Sequence, residues 1–217
     1  MLEANRKKVV VLGAGGHAKV VIDILRADPK IELVGCIDKD PSLRSVARLP
    51  VLGDDSLLAG LHAQGIQHAF IAIGSNRVRQ QLGQQLESLG FRLVSAISPF
   101  SWISDSAQLG DGVAVMPGAV INAEAKIGRL SIINTGATVD HECDIGEACH
   151  IAPGSALSGN VTVGKGTFLG TGTRVIDAIE IGPWAMVGAG SVVTRPLPGR
   201  CTAVGVPCRV IKLRTDD

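Results

Sequence analysis

The stretch IGRLSIINTGATVDHECDIGEACHI, residues 127–151, places Ile or Val at every sixth position: Ile127, Ile133, Val139, Ile145 and Ile151. The spacing continues on both sides without an insertion, so sixteen consecutive sixth residues are Ile, Leu or Val. A period of six is typical of a β-helix in which each hexad forms one side of a coil. The other members of the series are Ile103, Leu109, Val115, Ile121, Leu157, Val163, Leu169, Val175, Ile181, Val187 and Val193.

A second series in the same register carries small or β-branched side chains. Four positions after each aliphatic residue, fourteen of the sixteen residues are of this kind, and Ile179 and Leu197 are the exceptions. We expect both series to point into the coil, where large and small side chains alternate. Glycine also recurs every eighteen residues, at positions 110, 128, 146, 164 and 182. This predicts triangular coils of three hexads, about five in number, with one corner that excludes a Cβ.

The first hundred residues follow a different pattern. KVVVLG (8–13) predicts a buried strand that enters the turn Gly13-Ala14-Gly15-Gly16-His17-Ala18 and then a helix. Gly13, Gly15 and Ala18 fit the pattern in which small residues let a backbone turn approach a phosphate at a helix N-terminus. His17 lies at the mouth of this turn and either faces a ligand or is simply exposed to solvent.

The position of Asp38 strengthens the nucleotide interpretation. It lies twenty residues past Ala18, at the end of the next predicted strand, where an acidic residue usually binds a ribose hydroxyl. Further predicted elements are a helix at 54–64, a strand at 68–73, a helix at 76–89 and a strand at 91–97, with Gly74 closing the third strand. NAD is a rival ligand, but a dinucleotide fold needs two mononucleotide halves and this region holds about one. A mononucleotide diphosphate therefore fits better.

The two patterns divide the chain into a Rossmann-like α/β domain, residues 1–98, and an all-β hexapeptide-repeat domain, residues 99–217. Composition is that of a globular protein, with 46% hydrophobic and 19% charged residues. A net charge of +1 argues against a nucleic-acid partner, and we find no membrane-inserting segment and no signal peptide. We therefore expect a cytoplasmic protein, with its five cysteines as reduced thiols.

Two histidines of the repeat domain are candidates for chemistry. His141 stands in Asp140-His141-Glu142-Cys143-Asp144, where three carboxylates within five residues would support the imidazolium of a general base. A surface histidine in an acidic turn is the simpler alternative. His150 has a weaker case from the sequence alone. We expect no metal, because a three-histidine site would need one more histidine in the repeats and neither CxxC nor HExxH is present.

Several segments together resemble a known family across essentially the whole chain. They are GAGGHAKVVID (13–23), CID (36–38), AIGSN (72–76), DHECDIGEACH (140–150) and VGVPCRVIK (204–212). They resemble the acyltransferases that join a Rossmann-like domain to a left-handed parallel β-helix. These are the sugar-nucleotide 4-amino N-acetyltransferases of the bacillosamine and perosamine pathways and the related sialic acid O-acetyltransferases. Cys208 and Lys39 depart from the residues more usual in the family.

The resemblance implies a homotrimer with active sites between neighbouring β-helices, acetyl-CoA as co-substrate and a nucleotide-linked (UDP or GDP) amino sugar as acceptor. In this resemblance His141 matches the catalytic base and Glu142 the residue that orients it. The positions matched to acetyl-CoA binding are His150, Thr171 and Ala189, and those matched to the sugar nucleotide are Gly15, Gly16, His17, Asp38, Lys39 and Gly74. We therefore expect N-acetylation of a 4-amino group by direct transfer, with O-acetylation of sialic acid or a related hydroxyl as the alternative. A nucleotide-gated trimeric scaffold without activity is a third hypothesis.

Overall fold

The computed structural model describes residues 6–214, and the chain divides into two compact units, Met1–Pro99 and Phe100–Asp217. In the first unit a six-stranded sheet has the order β3-β4-β2-β1-β5-β6. Its strands are β1 (Lys7–Leu12), β2 (Ile31–Ile37), β3 (Ser45–Val46), β4 (Leu49–Gly53), β5 (His68–Ile71) and β6 (Arg92–Leu93), and a short strand β7 (Ala96–Ile97) follows. The helices are α1 (Gly16–Ala27), α2 (Leu58–Ala63), which a 3₁₀ turn (Asp55–Leu57) precedes, and α3 (Asn76–Ser88).

The centre of this sheet is a parallel α/β arrangement. Strand β1 pairs in parallel with β2 on one side and with β5 on the other. Successive strands are therefore added to one side of β1 up to β4 and to its other side from β5 onward. In such folds ligands bind in the crevice at the carboxyl ends of the two strands where the order reverses, here β1 and β5. The Rossmann-like prediction is confirmed. The antiparallel β3–β4 pair was not predicted, and the predicted strand 91–97 is broken into β6 and β7.

The second unit is a prism of three sheets. Apart from the last two strands of the chain, the strands are parallel, two residues long and come from successive hexads. The first sheet contains β8 (Trp102–Ile103), β11 (Val120–Ile121), β14 (Thr138–Val139), β17 (Ala156–Leu157), β20 (Arg174–Val175) and β23 (Val192–Val193). The second contains β9 (Gln108–Leu109), β12 (Lys126–Ile127), β15 (Asp144–Ile145), β18 (Thr162–Val163) and β21 (Glu180–Ile181). The third contains β10 (Ala114–Val115), β13 (Ile132–Ile133), β16 (His150–Ile151), β19 (Phe168–Leu169), β22 (Met186–Val187), β24 (Cys201–Val204) and β25 (Arg209–Leu213). The hexapeptide β-helix is thus confirmed.

The core of the prism is the pair of inward series predicted from the repeat. The aliphatic residues at every sixth position from Val115 to Val193 are at most 2% exposed, and the first two of the series, Ile103 and Leu109, are partly buried. Inward hydroxyls are satisfied by main-chain carbonyls of the next coil: Ser131 Oγ donates to Gly146 O at 2.8 Å and Ser155 Oγ to Gly170 O at 3.0 Å. Polar side chains are therefore accommodated in the core without unpaired groups at these positions.

The glycine column at eighteen-residue spacing has a steric cause. A Cβ on Gly110, Gly128 or Gly146 would lie 2.6–2.7 Å from a backbone nitrogen of the next coil, which belongs to Arg129, Glu147 and Lys165 respectively. Real Cβ atoms do not approach backbone this closely, so coils can stack at strand spacing only if this corner has no side chain. The predicted corner is confirmed. At the far end of the prism β24 and β25 form an antiparallel pair that was not predicted.

Two observations on the described residues, 6–214, bear on the expectations above. Within them no helix has both the length and the apolar character needed to cross a bilayer. Within the same range no group of three or more His, Cys, Asp or Glu side chains is arranged to hold a metal ion. The five cysteines are free thiols and are buried.

Candidate functional site

His141 lies in the turn between β14 and β15, which forms the edge between the first and second sheets. Its Nδ1 is 3.0 Å from Oε2 of Glu142, and the two side chains are 58% and 60% exposed. A carboxylate only accepts hydrogen bonds, so Nδ1 carries the ring hydrogen and Nε2 keeps its lone pair. Among the described residues no group of this chain hydrogen-bonds Nε2. The turn therefore presents an oriented imidazole whose basic nitrogen is accessible.

Asp140 holds the backbone of this turn. One of its carboxylate oxygens, Oδ1, accepts the His141 N–H at 2.7 Å and the side-chain N–H of Asn122, one coil earlier, at 3.0 Å. These hydrogen bonds to the charged form lower the pKa of Asp140. Glu142 itself has φ of +59°, a left-handed conformation that ordinary side chains avoid. The residue in this left-handed conformation is also the one whose carboxylate contacts the His141 ring.

The imidazole of His141 packs against Gly159, which lies one coil later. A Cβ on Gly159 would lie 2.6 Å from Nε2 and 2.9 Å from Nδ1 of His141. The ring therefore occupies the space that a side chain at 159 would need. Sequence reasoning missed this residue. The separation of eighteen residues, one coil, is the signal that could have found it, because residues one coil apart are neighbours in a β-helix.

His150 lies on the outer face of the third sheet and is half-buried. Its Nε2 is 2.9 Å from the side-chain nitrogen of Asn134, one coil earlier. The ring also packs edge to face against Phe168, with centroids 5.2 Å apart and an interplanar angle of 87°. Two neighbouring side chains therefore fix both the position and the plane of this imidazole.

Thr171 and Ala189 lie in turns from the third sheet to the first, one coil apart, and both are exposed. The Ala189 turn is tied to the Thr171 turn by the Gly190 N–H, which donates to Thr171 O at 2.8 Å. Asn134 lies in a turn of this same edge. His141 lies at the other end of the first sheet, on the edge with the second sheet. Within one chain, Thr171 and Ala189 therefore lie on the edge between the third and first sheets, whereas His141 lies on the edge between the first and second sheets.

In the first unit, the turns that follow β1 and β5 carry Gly15, Gly16 and Gly74. A Cβ on any of the three would meet no atom within 4 Å, so open space lies above all of them. Helix α1 begins at Gly16 with no side-chain cap and no acidic residue in its first turn, so its first N–H groups are available to an anion. We name these three glycines with His17 the glycine cradle.

Asp38 and Lys39 lie at the end of β2 beside this cradle. Asp38 Oδ2 accepts the Ala14 N–H at 2.7 Å and Oδ1 accepts the Asp40 N–H at 3.0 Å. The carboxylate therefore links the glycine turn to the end of β2, and the lone pairs left over are what a ribose could use. The Lys39 side chain is 81% exposed and its Nζ is 3.5 Å from Asp55 Oδ2.

Arg79 of α3 is a second residue that sequence reasoning missed. Its side chain is 1% exposed, and its guanidinium donates to Ile73 O at 2.9 Å, Gly74 O at 3.1 Å and Asn76 Oδ1 at 2.8 Å. It thereby holds the turn that carries Gly74. Burial, followed by the charge of Arg79, lowers the pKa of His17 to about 4, and the Nε2 of His17 is buried without a hydrogen-bond partner. A buried cation beside a neutral histidine makes the cradle receptive to an anion.

A protein-family model matches most of the first unit. Residues 8–86 match the PglD N-terminal domain family. UDP-N-acetylbacillosamine N-acetyltransferase of Bacillus subtilis is 38% identical over 111 residues, which are 51% of this chain and 51% of that enzyme. The chain spans about half the length of this relative, and its match to a mimivirus protein covers 23% of that protein.

Solved structures match over nearly the whole chain. PerB of Caulobacter crescentus, in complex with CoA and GDP-perosamine, has a TM-score of 0.91 at 51% identity, over 94% of this chain and 97% of that chain. The acetyltransferase domain of PglB from Neisseria gonorrhoeae, in complex with acetyl coenzyme A, has a TM-score of 0.90 at 36% identity, over 95% and 100%. The Caulobacter enzyme is a perosamine N-acetyltransferase. This chain therefore belongs to the nucleotide-sugar N-acetyltransferase family.

Proposed function

We propose that this protein transfers the acetyl group of acetyl-CoA to the 4-amino group of a nucleotide-linked amino-deoxy sugar. The observation that carries the proposal is the oriented, exposed His141–Glu142 pair in a chain that is 51% identical to the Caulobacter enzyme over 97% of that enzyme. That enzyme was solved with CoA and GDP-perosamine, and also as H141N and H141A variants with the same two ligands. A GDP-linked sugar is therefore the first acceptor to test, and a UDP-linked sugar the second.

In the proposed reaction His141 acts as general base through Nε2. The neutral amine of the sugar attacks the thioester carbonyl carbon, and Nε2 takes up the proton that the nitrogen loses as the amide bond forms. The C–S bond then breaks, and the proton on Nε2 neutralises the departing thiolate, so CoA leaves as a thiol. Glu142 holds the ring by Nδ1 and stabilises the imidazolium that exists between the two proton transfers.

The binding sites in this proposal are those that the family resemblance implies. Thr171, Ala189 and His150 are assigned to acetyl-CoA, and the glycine cradle with Asp38 and Lys39 to the nucleotide. The first N–H groups of α1 and the charge of Arg79 suit the negative charge of a diphosphate. Five basic residues near the C-terminus suit the 3′-phosphate of CoA: Arg195, Arg200, Arg209, Lys212 and Arg214.

A homotrimer is part of the proposal. Thr171 and Ala189 occupy a different edge of the prism from His141, so a site that uses all three is assembled where two prisms meet. Large apolar side chains are also exposed, among them Phe100 at 80% and Trp102 at 65%, and such side chains usually lie in interfaces. Sedimentation equilibrium at micromolar concentration should give three times the chain mass, and a monomer would contradict this part.

N-acetylation is preferred over O-acetylation because the relatives whose names state an acyl acceptor are N-acetyltransferases. The test is a panel assay. The protein is incubated with acetyl-CoA and with GDP-, UDP- or dTDP-linked 4-amino sugars, and thiol release is followed with a chromogenic disulfide. The same sugars with a 4-hydroxyl group are the matched controls. We expect thiol release only with an amino sugar; release with the hydroxyl sugars alone would favour O-acetylation, and none with any sugar would exclude the class.

A further inference from the structure

Asn122 and Asp140 hold the same position in successive coils of the prism. Each is the first residue of a turn on the edge between the first and second sheets, and both residues are half-buried. The side-chain nitrogen of Asn122 donates to Oδ1 of Asp140 at 3.0 Å. A carboxylate only accepts hydrogen bonds, so the amide of Asn122 must turn its nitrogen toward Asp140.

The same oxygen of Asp140 accepts the backbone N–H of His141 at 2.7 Å. Oδ1 thus joins the amide of Asn122 to the backbone from which the imidazole of His141 projects. The hydrogen bond from the His141 N–H, followed by the one from Asn122, lowers the pKa of Asp140, so both bonds are made to a charged carboxylate at neutral pH. Asn122 therefore keeps this carboxylate on the side where the His141 N–H can reach it.

The neighbouring coils show that this bond is not needed to form the turn. Ala123 and Gly159 occupy the position of His141 one coil earlier and one coil later. Among the residues that the structure describes, the N–H groups of these two residues have no hydrogen-bond partner in the chain. The turns still stack, because the Glu142 N–H donates to Ala123 O and the Asn160 N–H to His141 O, each at 2.9 Å. The side-chain bond is therefore an addition at His141, and stacking of the coils does not depend on it.

The backbone at His141 determines where its ring can lie. The side chain is 58% exposed, and the carboxylate of Glu142 that contacts Nδ1 is itself 60% exposed, so neither is held by a surrounding core. A general base must lie within hydrogen-bond reach of the proton that it removes, and a displacement of about 1 Å can cost on the order of 10²-fold in rate. A bond that fixes the His141 backbone can therefore contribute to the rate of the reaction.

We infer that Asn122 is a positioning residue: through Asp140 it holds the backbone of His141 and so sets where the imidazole lies. Asn122 takes no part in proton transfer. The kinetic part of the inference rests on the proposed function, whereas the link from Asn122 to the His141 N–H does not.

Two substitutions test the kinetic part. Asn122→Ala removes the donor, and Asn122→Asp keeps the shape of the side chain but replaces the donor with a carboxylate. We expect kcat to fall about tenfold in both, with KM values near those of the parent and, for Asn122→Ala, an unchanged thermal unfolding midpoint. Ser104→Ala alters the same position one coil earlier, where the hydroxyl contacts Ser106, and should keep parental kcat. Parental kcat in Asn122→Ala would overturn the inference.

Exchanging the two side chains tests whether Asn122 acts through Asp140. In Asn122→Asp/Asp140→Asn the amide at position 140 offers an oxygen to the His141 N–H and a nitrogen to the carboxylate at position 122. We expect the double variant to recover most of the kcat that Asn122→Asp loses, which an unspecific loss of structure would not allow. A double variant no more active than Asn122→Asp would contradict the link.

Hydrogen exchange tests the link without any substrate. Protein labelled with ¹⁵N-histidine contains five labelled residues, and the backbone signal of His141 is identified by its loss in His141→Gln. We expect solvent exchange of the His141 N–H to be about tenfold faster in Asn122→Ala and unchanged in Ser104→Ala. Unchanged exchange in Asn122→Ala would overturn the link. If no panel sugar releases thiol, the proposed function fails while the exchange rate still decides the link, so the two failures are distinguishable.

Discussion

The glycine cradle and the His141 turn each present one histidine, in opposite surroundings. His17 has a buried Nε2 and a pKa lowered to about 4 by burial and by the charge of Arg79. His141 is 58% exposed and its Nδ1 is held by a carboxylate. The His17 ring is kept neutral beside a buried cation, and the His141 ring is exposed and oriented by a carboxylate.

Under the proposed function, this difference suits His17 to the binding site and His141 to the reacting site. A neutral histidine next to a guanidinium and an uncapped helix start favours an anionic ligand, and it is a poor base because protonation is disfavoured. A histidine whose N–H is held by a carboxylate has its ring oriented and its other nitrogen turned toward a ligand. The predictions below alter one side of this comparison at a time, in order of decreasing expected free-energy change.

Replacing Arg79 with Met should have the largest effect on stability. The change leaves Ile73 O, Gly74 O and Asn76 Oδ1 without the donor they now share, so we expect the free energy of unfolding to fall by about 3 kcal/mol. Urea denaturation measures this, with Arg77→Met at an exposed position of the same helix as control. Unchanged stability would mean that the buried guanidinium does not hold the Gly74 turn.

Replacing Gly159 with Ala should displace the His141 ring, because the new Cβ would occupy its place. We expect a loss of about 10²-fold in kcat, which is about 2.7 kcal/mol, with an intact fold because the exposed ring can swing aside. Gly60→Ala, in α2 and with open space around its Cβ, is the matched control. A fully active Gly159→Ala variant would show that the ring position is not needed.

Replacing His17 with Gln should make the free energy of unfolding less dependent on pH below neutrality. The folded pKa of about 4 lies below the ordinary 6.5, so the unfolded chain binds more protons between these values and stability falls as pH drops through this window. Between pH 7 and pH 5 the parent should lose about 2 kcal/mol more than the variant. Equal losses in urea denaturation at the two pH values would contradict a buried neutral His17.

Replacing Glu142 with Gln should have the smallest effect. The side-chain oxygen can still accept from Nδ1 of His141, but the charge that stabilises the imidazolium is lost, so we expect kcat to fall about tenfold. Glu124→Gln, one coil earlier and in the same left-handed conformation, is the matched control and should keep full activity. A Glu142→Gln variant with parental kcat would show that the charge of Glu142 does not contribute to the reaction.

The sequence was most informative where the structure repeats. Contacts in the prism join residues separated by a fixed eighteen positions, so the hexad series and the glycine column carry three-dimensional information in one dimension. In the α/β unit β1 and α1 could be predicted because the glycine turn that joins them consists of consecutive residues. The β3–β4 pair was missed because Pro50 and the short strands give no alternating pattern.

Arg79 and Gly159 were missed for different reasons. An arginine three residues into a helix is ordinarily exposed, and only the fold reveals that its guanidinium turns back to the Ile73–Asn76 segment. Gly159 stands among many turn glycines, and its distinguishing contact is with one side chain of the preceding coil. In both cases the residue type was visible but its partner was not.

The most direct test of the account is the turnover of His141→Ala with acetyl-CoA and the best nucleotide-linked amino sugar of the panel. The parent and variant should have similar KM values and similar thermal unfolding midpoints. We predict a fall in kcat of at least about 10²-fold, because the proposed mechanism assigns uptake of the amine proton to His141. Activity within about tenfold of the parent would contradict His141 as the general base.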